Sequence, residues 1–305
     1  MTVIERRLVG RDHLAVVTRL LQDARLAEPD GGAWEAADVQ WWWRVDQRPE
    51  PDGQPIWFDG DVPVVAAVFT RWNGWIGCDL LGRDAAVTHH SDRLWGYVRE
   101  TCTDREVSMV IRDDDPVRMA AAERAGFAAR DEAFVIGWMD PARRPAVPPL
   151  PVGVRIEPYE GGPHHMVKRS GEHVAARLAE CSLYRADLDL AIRDGDTLAG
   201  YALFWADPVT GVGLLEPMRI EDGHQGRGLA KALIAEGMNR LAATGCTRLK
   251  VSWEPANEPA VRLYAGAGYQ PRATAHTWTR AAASPTERRP TGTFGTLDRP
   301  QSAAL

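Results

Sequence analysis

A short segment containing two glycines stands where a strand-like apolar pattern changes to a helical one. It reads Gln225-Gly226-Arg227-Gly228-Leu229-Ala230, and the apolar spacing of a long amphipathic helix follows it. A turn of this kind leaves backbone N–H groups unpaired at a helix N-terminus, where the helix dipole adds positive potential. The segment therefore predicts a binding site for a phosphate group.

Neither of two common phosphate-binding loops fits this segment. A Walker A loop counted from Gly223 and Gly228 places Leu229 where the motif requires lysine. A dinucleotide fingerprint counted from Gly226 and Gly228 requires a third glycine at position 231, which is Lys231. The phosphate must therefore belong to another class of ligand.

The elements around this segment occur twice along the chain. Each half contains apolar runs separated by turn residues such as Asp59-Gly60 and Asp194-Gly195, a pattern typical of antiparallel meanders. Residues 115–127 and 257–269 align without a gap, and each predicts a short helix that ends at a glycine. The sequence therefore predicts a duplicated α+β domain. The predicted strands are 55–58, 64–72, 75–81 and 107–111, and in the second half 188–193, 198–206, 212–220 and 248–253.

A proline-rich segment separates the two halves. Residues 141–151 contain five prolines, which cannot continue a helix or a central strand, so we expect a stiff, extended linker. We predict a first domain over 1–140, a catalytic domain over 152–281 and a polar tail over 282–305.

Composition limits the classes of partner. The 305 residues carry a formal net charge of -6 without a basic run, which argues against a nucleic-acid or membrane partner. No apolar run approaches the ~20 residues that span a bilayer, and the first residues lack a signal-peptide pattern, so we expect a cytoplasmic protein. Twelve tryptophans predict aromatic packing in the core. The four cysteines lack metal-site spacing and are expected to be reduced: Cys78, Cys102, Cys181 and Cys246.

The segment Gln225 to Ala230 resembles the signature of the GNAT superfamily of acyl-CoA-dependent N-acyltransferases. That signature is Arg/Gln-x-x-Gly-x-Gly/Ala after a strand, with an apolar residue five positions earlier, here Ile220. Asn257 and Tyr264 also match residues common in the superfamily, whereas the usual proline three positions before the signature is Asp222. The resemblance covers residues 188–270. It implies a three-layer α/β/α fold in two tandem repeats, each with a mixed, largely antiparallel sheet flanked by helices.

The resemblance also implies a site for acetyl-CoA as acyl donor, without a metal. Backbone amides of residues 226–230 would bind the pyrophosphate, and Arg227 could add charge or merely be solvated. The strand near Met218 would pair with the pantetheine arm, to which Asn257 would form a hydrogen bond. The implied cofactor-binding residues are Met218, Arg219, Ile220, Gln225, Gly226, Arg227, Gly228, Leu229, Ala230 and Asn257.

Two residues are implied as catalytic. Tyr264 would protonate the departing thiolate. Glu216 would act as base toward the acceptor ammonium, directly or through water, and strand alternation places it on the same face as Ile220. Asp222 and His224 are weaker candidates for the base. Three histidines could line an acceptor pocket, although an isolated histidine usually faces solvent: His164, His165 and His173.

The first half lacks these features. No matching glycine signature occurs between Leu81 and Val107, and Ala122 and Asp115 stand at the positions of Tyr264 and Asn257. We therefore expect a degenerate first domain that shapes the acceptor site or stabilises the second domain.

The resulting hypothesis is a tandem-domain N-acetyltransferase. The primary amine of a small-molecule acceptor would attack acetyl-CoA directly in a ternary complex, in a monomer or a homodimer. One alternative follows from similarity of the second half to mycothiol-synthase-like proteins, although the signature does not identify their acceptor. The other alternative is a non-catalytic acyl-CoA-binding sensor or partner module.

Overall fold

The computed structural model describes residues 3–44, 53–72, 75–101 and 105–282. Three predicted features lie outside these ranges, namely the connection at residues 73–74 between the predicted strands 64–72 and 75–81, Cys102, and all but the first residue of the polar tail. No helix in the described residues is long and apolar enough to cross a membrane. The strands are β1 (Ile4–Leu8), β2 (Gln54–Asp59), β3 (Val62–Arg71), β4 (Trp75–Gly82), β5 (Glu106–Arg112), β6 (Ala128–Met139), β7 (Val154–Pro158), β8 (Asp189–Asp194), β9 (Thr197–Ala206), β10 (Val212–Ile220), β11 (Arg248–Trp253) and β12 (Gln270–Arg280). The α-helices are α1 (Gly10–Ala27), α2 (Ala36–Trp42), α3 (Asp84–Thr101), α4 (Pro116–Arg124), α5 (Val167–Ser170), α6 (Val174–Ala179), α7 (Leu229–Ala243) and α8 (Glu258–Ala267).

The described residues divide into two compact units with the same strand arrangement. The first contains β1-β2-β3-β4-β5-β12 in spatial order, and the second contains β7-β8-β9-β10-β11-β6. In each, the pair formed by the fourth and fifth strands, β4/β5 or β10/β11, is parallel and the other pairs are antiparallel. Helices pack on both sheets, α1 and α3 on β3 and β4, and α7 on β8, β9 and β10. The predicted meanders, tandem repeats and mixed α+β architecture are confirmed.

The last strand of each half completes the sheet of the other unit. Residues 275–280 of β12 pair with 107–112 of β5, and residues 135–139 of β6 pair with 249–253 of β11. Trp278 accordingly lies in the core of the first unit. Within the described residues, the first unit runs up to residue 133 and includes 274–282, and the second unit is residues 134–273, so the units differ from a division of the chain at its proline-rich segment.

The proline-rich segment forms one 3-10 turn at Pro141–Arg143 and is otherwise without helix or strand, as proline dictates. Nε of Arg144 donates to Oδ1 of Asn239 on α7 at 2.6 Å, so the segment lies along the second unit.

Close packing under α7 places the helix on the sheet. A Cβ at Gly237 would lie 2.0 Å from the ring of Phe204, so only glycine lets α7 approach β9 here. Leu229 and Leu233 belong to the same buried core. Packing at the first turn of α7 therefore holds its N-terminus against the end of β10.

Candidate active site

The glycine turn connects β10 to α7 through a single 3-10 turn at Asp222–His224. Gly226 and Gly228 have φ of +74° and +78°, values that favour glycine. Gly228 is the N-cap of α7 and no side chain caps the helix, so its first N–H groups keep their capacity to bind an anion. A Cβ built on either glycine meets no atom within 4 Å, so the space over the turn is open to a ligand. The side chain of Leu229 is buried, and its backbone forms part of the first turn of α7.

Two side chains of the turn contact its surroundings. Nε2 of Gln225 donates to the carbonyl of Ile220 at 3.2 Å and so ties the turn to the end of β10. Nη1 of Arg227 lies 2.7 Å from Oδ2 of Asp194 in the β8–β9 turn. That hydrogen bond from Arg227 lowers the pKa of Asp194. Arg227 is therefore ion-paired rather than merely solvated, and its charge is partly compensated.

A gap opens between β10 and β11 beside this turn. The two strands pair only over residues 212–214 and 248–250, although both continue further. Met218, Arg219 and Ile220 pair with β9 on one edge, and no described strand pairs with their other edge. Such an edge can accept an extended ligand as an added strand.

A β-bulge changes the predicted position of Glu216. Leu215 and Met218 pair with Phe204 and Ala202, so Glu216 and Pro217 together oppose a single residue of β9. Simple alternation does not carry across such a bulge, so it no longer determines the face on which Glu216 lies, and the placement of Glu216 on the face of Ile220 stays a prediction. The backbone carbonyl of Glu216 accepts a hydrogen bond from Nε1 of Trp205 at 2.7 Å, which fixes the bulge to β9.

Tyr264 lies on α8 in a buried aromatic group. Its ring centroid is 5.5 Å from that of Trp253 and 6.0 Å from that of Tyr269. Burial raises the pKa of the Tyr264 phenol well above its usual range, and the negative charge of Glu216 raises this pKa further. Both effects keep the phenol protonated at neutral pH. The structure thus brings the two predicted catalytic residues within electrostatic range of each other.

Asn257 has a local role that the sequence interpretation missed. Its Oδ1 accepts a hydrogen bond from the N–H of Ala260 at 3.1 Å and caps α8. Asp115 caps α4 in the first unit in the same way, through the N–H of Arg118. The signal was available, because Asn or Asp followed by proline at the first helical turn is a common N-cap pattern. Only the amide Nδ2 of Asn257 is left to serve as donor to a ligand.

The weaker candidates for the base lie at the surface of the turn. Oδ1 of Asp222 accepts from Nη2 of Arg219 at 3.0 Å. Nε2 of His224 lies 3.8 Å from Oδ2 of Asp194. Both are held by neighbouring charges of the turn.

The side chains of His164 and His165 are buried, which contradicts the expectation that an isolated histidine faces solvent. The third predicted pocket histidine, His173, is exposed. Nε2 of His164 and Nε2 of His165 lie 2.9 and 2.7 Å from the two oxygens of Asp189. Burial opposes ionisation of Asp189, but hydrogen bonds from both histidines lower its pKa.

This histidine cluster has the residue types of a metal site. Nδ1 of His164 accepts from the N–H of Met166 at 3.1 Å, so Nε2 carries the proton and donates to Asp189. Oδ2 of Asp189 accepts a second hydrogen bond from the hydroxyl of Tyr184 at 2.9 Å. The absence of a metal stays a prediction.

The candidate site thus combines a helix N-terminus that is open to an anion with the unpaired edge of β10 beside it. Residues 157–269 match the sequence model of the acetyltransferase (GNAT) family. This part of the chain is a GNAT acetyltransferase domain. The recognised family is therefore the one that the resemblance predicted.

Curated relatives carry a more specific name. A protein of Kineococcus radiotolerans named mycothiol acetyltransferase is 29% identical over 206 residues, which is 61% of this chain and 65% of that protein. A protein of the same name from a Nocardioides species is 36% identical over 78 residues, or 26% of this chain and 25% of that protein. The matches thus span less than two thirds of either relative.

Solved structures share the fold over nearly the whole chain. A tandem GNAT protein from the clavulanic acid biosynthesis pathway, solved without AcCoA, superposes with a TM-score of 0.63 over 93% of this chain and 99% of that one. A GCN5-related N-acetyltransferase from Sphaerobacter thermophilus superposes with a TM-score of 0.58 over 92% and 96%. Their identities of 16% and 15% support the fold alone.

Proposed function

We propose that this protein transfers an acetyl group from acetyl-CoA to the primary amine of a small molecule. The observation that carries the proposal is the open glycine turn at Gly226 and Gly228 beside the unpaired edge of β10. The turn would bind the pyrophosphate through backbone N–H groups, and the strand edge would align the pantetheine arm. The thioester would then lie near the bulge that carries Glu216.

The chemistry would use two groups in opposite protonation states. Glu216 would accept a proton from the acceptor ammonium, so that the free amine attacks the thioester carbonyl. The C–N bond forms, the C–S bond breaks, and the thiolate of CoA takes a proton from Tyr264. The second proton that the new amide nitrogen loses would restore the Tyr264 phenol, and Glu216 would return its proton to solvent. Burial and the nearby Glu216 charge favour the protonated phenol in the resting site, which suits a proton donor.

The acceptor is proposed from the names of the relatives. Both curated relatives are mycothiol acetyltransferases, so the desacetyl form of mycothiol belongs in any panel of amines. Simple aminosugars and amino acids complete the panel. Release of CoA thiol only with the mycothiol precursor would assign the narrower activity, and release with other amines would assign a different acceptor.

Binding of acetyl-CoA tests the site itself. Gly228→Val should abolish binding, because valine is strained at φ of +78° and its side chain would fill the open space. Gly223→Val is the matched control, since this neighbouring glycine does not have positive φ and also faces open space. Isothermal titration of both variants measures the effect. Equal affinity of the two variants for acetyl-CoA would exclude the turn as the phosphate site.

A non-catalytic acyl-CoA sensor makes a different prediction. It would bind acetyl-CoA with the same dependence on Gly228 but release no thiol with any amine of the panel. The charge of Glu216 within electrostatic range of a buried, protonated Tyr264 favours the enzyme.

A further inference from the structure

The first unit contains a cavity of its own. It lies where the β4/β5 ladder stops, since these strands pair only over residues 75–77 and 106–108 while both continue. Trp34, Asp79 and Trp95 are among the residues that line it. Every lining residue belongs to the first unit.

Asp79 occupies the strand position that corresponds to Glu216. Trp75 of β4 pairs with the first residue of β5, as Val212 of β10 pairs with the first residue of β11. Asp79 lies four residues after Trp75, and Glu216 lies four residues after Val212. The first repeat therefore keeps a carboxyl group in its strand opening, although it lacks the glycine turn.

The charges around Asp79 favour a cation. Its Oδ1 accepts a hydrogen bond from Nε1 of Trp34 at 2.8 Å, its carboxyl group also accepts one from the backbone N–H of Val110, and Asp38 on α2 adds further negative charge. The two arginines of the lining form ion pairs with other acids, Arg25 with Glu35 at 2.6 Å and Arg118 with Asp115 at 2.9 Å, and the charge of Arg118 also acts on Asp79. Glu28, the C-cap residue of α1, is a further acid of the lining.

A second observation also indicates an occupant. Trp95 is 3% exposed, and its Nε1 has no hydrogen-bond acceptor among the described residues. A buried donor without a partner is costly, and an oxygen brought by a ligand would satisfy it. The indoles of Trp34 and Trp95 would at the same time cover the hydrocarbon part of such a ligand.

We propose that this cavity binds a small primary amine that also carries a hydroxyl group, with the ammonium on Asp79 and the hydroxyl oxygen on Nε1 of Trp95. The site is separate from the acetyl-CoA site in the second unit and does not depend on the proposed acetyl transfer. It makes the first repeat a ligand-binding domain.

The pH dependence of binding follows from the ionisation of Asp79. Burial, together with the charge of Asp38, raises its pKa to about 7 against the opposing effects of the Trp34 hydrogen bond, the backbone N–H of Val110 and the charge of Arg118. The ammonium requires the ionised carboxylate, which is the minor form below this pKa. The apparent affinity should therefore increase about tenfold between pH 6 and pH 8.

A matched pair of ligands tests the proposal on the full-length protein. 4-Amino-1-butanol and 1,4-butanediol differ only in the ammonium group, and ligand-detected NMR titration compares their affinities. We expect the amine to bind at least tenfold more tightly at pH 8, and we expect this preference to disappear in Asp79→Asn. Asp61→Asn is the control, because Asp61 is an exposed acid of the same unit.

The outcomes separate this site from the catalytic one. A preference for the amine that persists in Asp79→Asn, or equal binding of the two ligands, would overturn the proposal. Should Asp79→Asn fold poorly, a preference of the natural protein that does not change between pH 6 and 8 would also overturn it. Glu216→Gln should leave the Asp79-dependent component unchanged, whatever happens to acetyl transfer.

Discussion

Asp79 and Glu216 occupy equivalent positions on the fourth strands of the two repeats, yet only Glu216 lies in a β-bulge. In the first repeat, pairing of β3 with β4 continues without a shift from residue 65 to residue 71. Asp79 thus sits in a regular strand and is only 9% exposed. The duplicated carboxyl groups have different surroundings, and different properties should follow.

Asp79→Asn should change how stability depends on pH. The pKa of Asp79 is raised from 3.8 to about 7, so the folded protein binds this proton more tightly than the unfolded chain. The stabilisation that this tighter proton binding gives the folded protein is fully present below pH 4 and is lost as pH rises toward 7. Asparagine does not ionise and therefore removes that loss. At pH 8 the free energy of unfolding of the variant should exceed that of the natural protein by up to about 4 kcal/mol. Urea unfolding at pH 4 and pH 8 measures the difference, with Asp61→Asn as control. A variant that is equally destabilised at both pH values would contradict the expected ionisation.

Tyr264→Phe should lower kcat by about 100-fold or more, because the thiolate loses its proton donor. Acetyl-CoA affinity should change little, since the ring remains packed against Trp253. Tyr269→Phe is a suitable control, because its buried hydroxyl has no hydrogen-bond partner among the described residues. Steady-state kinetics with an active amine compares the two. Equal losses in both variants would indicate an effect on packing rather than on proton transfer.

Glu216→Gln should lower kcat/KM for the amine by about 100-fold at neutral pH. The loss should shrink as pH rises toward the pKa of the acceptor ammonium, because the amine then deprotonates without help. Glu236→Gln, on the outer surface of α7, provides the control. A loss that stays constant from pH 7 to pH 10 would argue that Glu216 positions the substrate and does not take its proton.

Asp194→Asn should release Arg227 from its 2.7 Å ion pair. The freed guanidinium should then contact the phosphates, so acetyl-CoA should bind up to about fivefold more tightly, the scale of an exposed ion pair. Asp196→Asn changes an exposed acid in the same turn without touching the pair and serves as control. Weaker binding in Asp194→Asn than in Asp196→Asn would show that the pair instead holds Arg227 in a productive place.

Features with local signals could be predicted from the sequence. The turn at Gly226 and Gly228, the meanders and the helix α8 each depend on residues close together in the chain. The bulge at Glu216 could not be predicted, because it depends on which residues of β9 lie opposite. The burial of His164 and Asp79 was also hidden, since such groups are usually exposed and only tertiary packing encloses them.

The last strand of each half of the chain completes the sheet of the other unit, and no local sequence signal indicates this exchange. Trp278 on β12 is 6% exposed within the core of the first unit, although it lies at the far end of the chain. Trp278→Ala should therefore destabilise the first unit by about 3–5 kcal/mol. Hydrogen exchange followed by mass spectrometry should show faster exchange in β3 to β5 and little change in β8 to β10. Trp253→Ala, in the core of the second unit, should give the reverse pattern. Faster exchange in β8 to β10 alone after loss of Trp278 would contradict the assignment of β12 to the first unit.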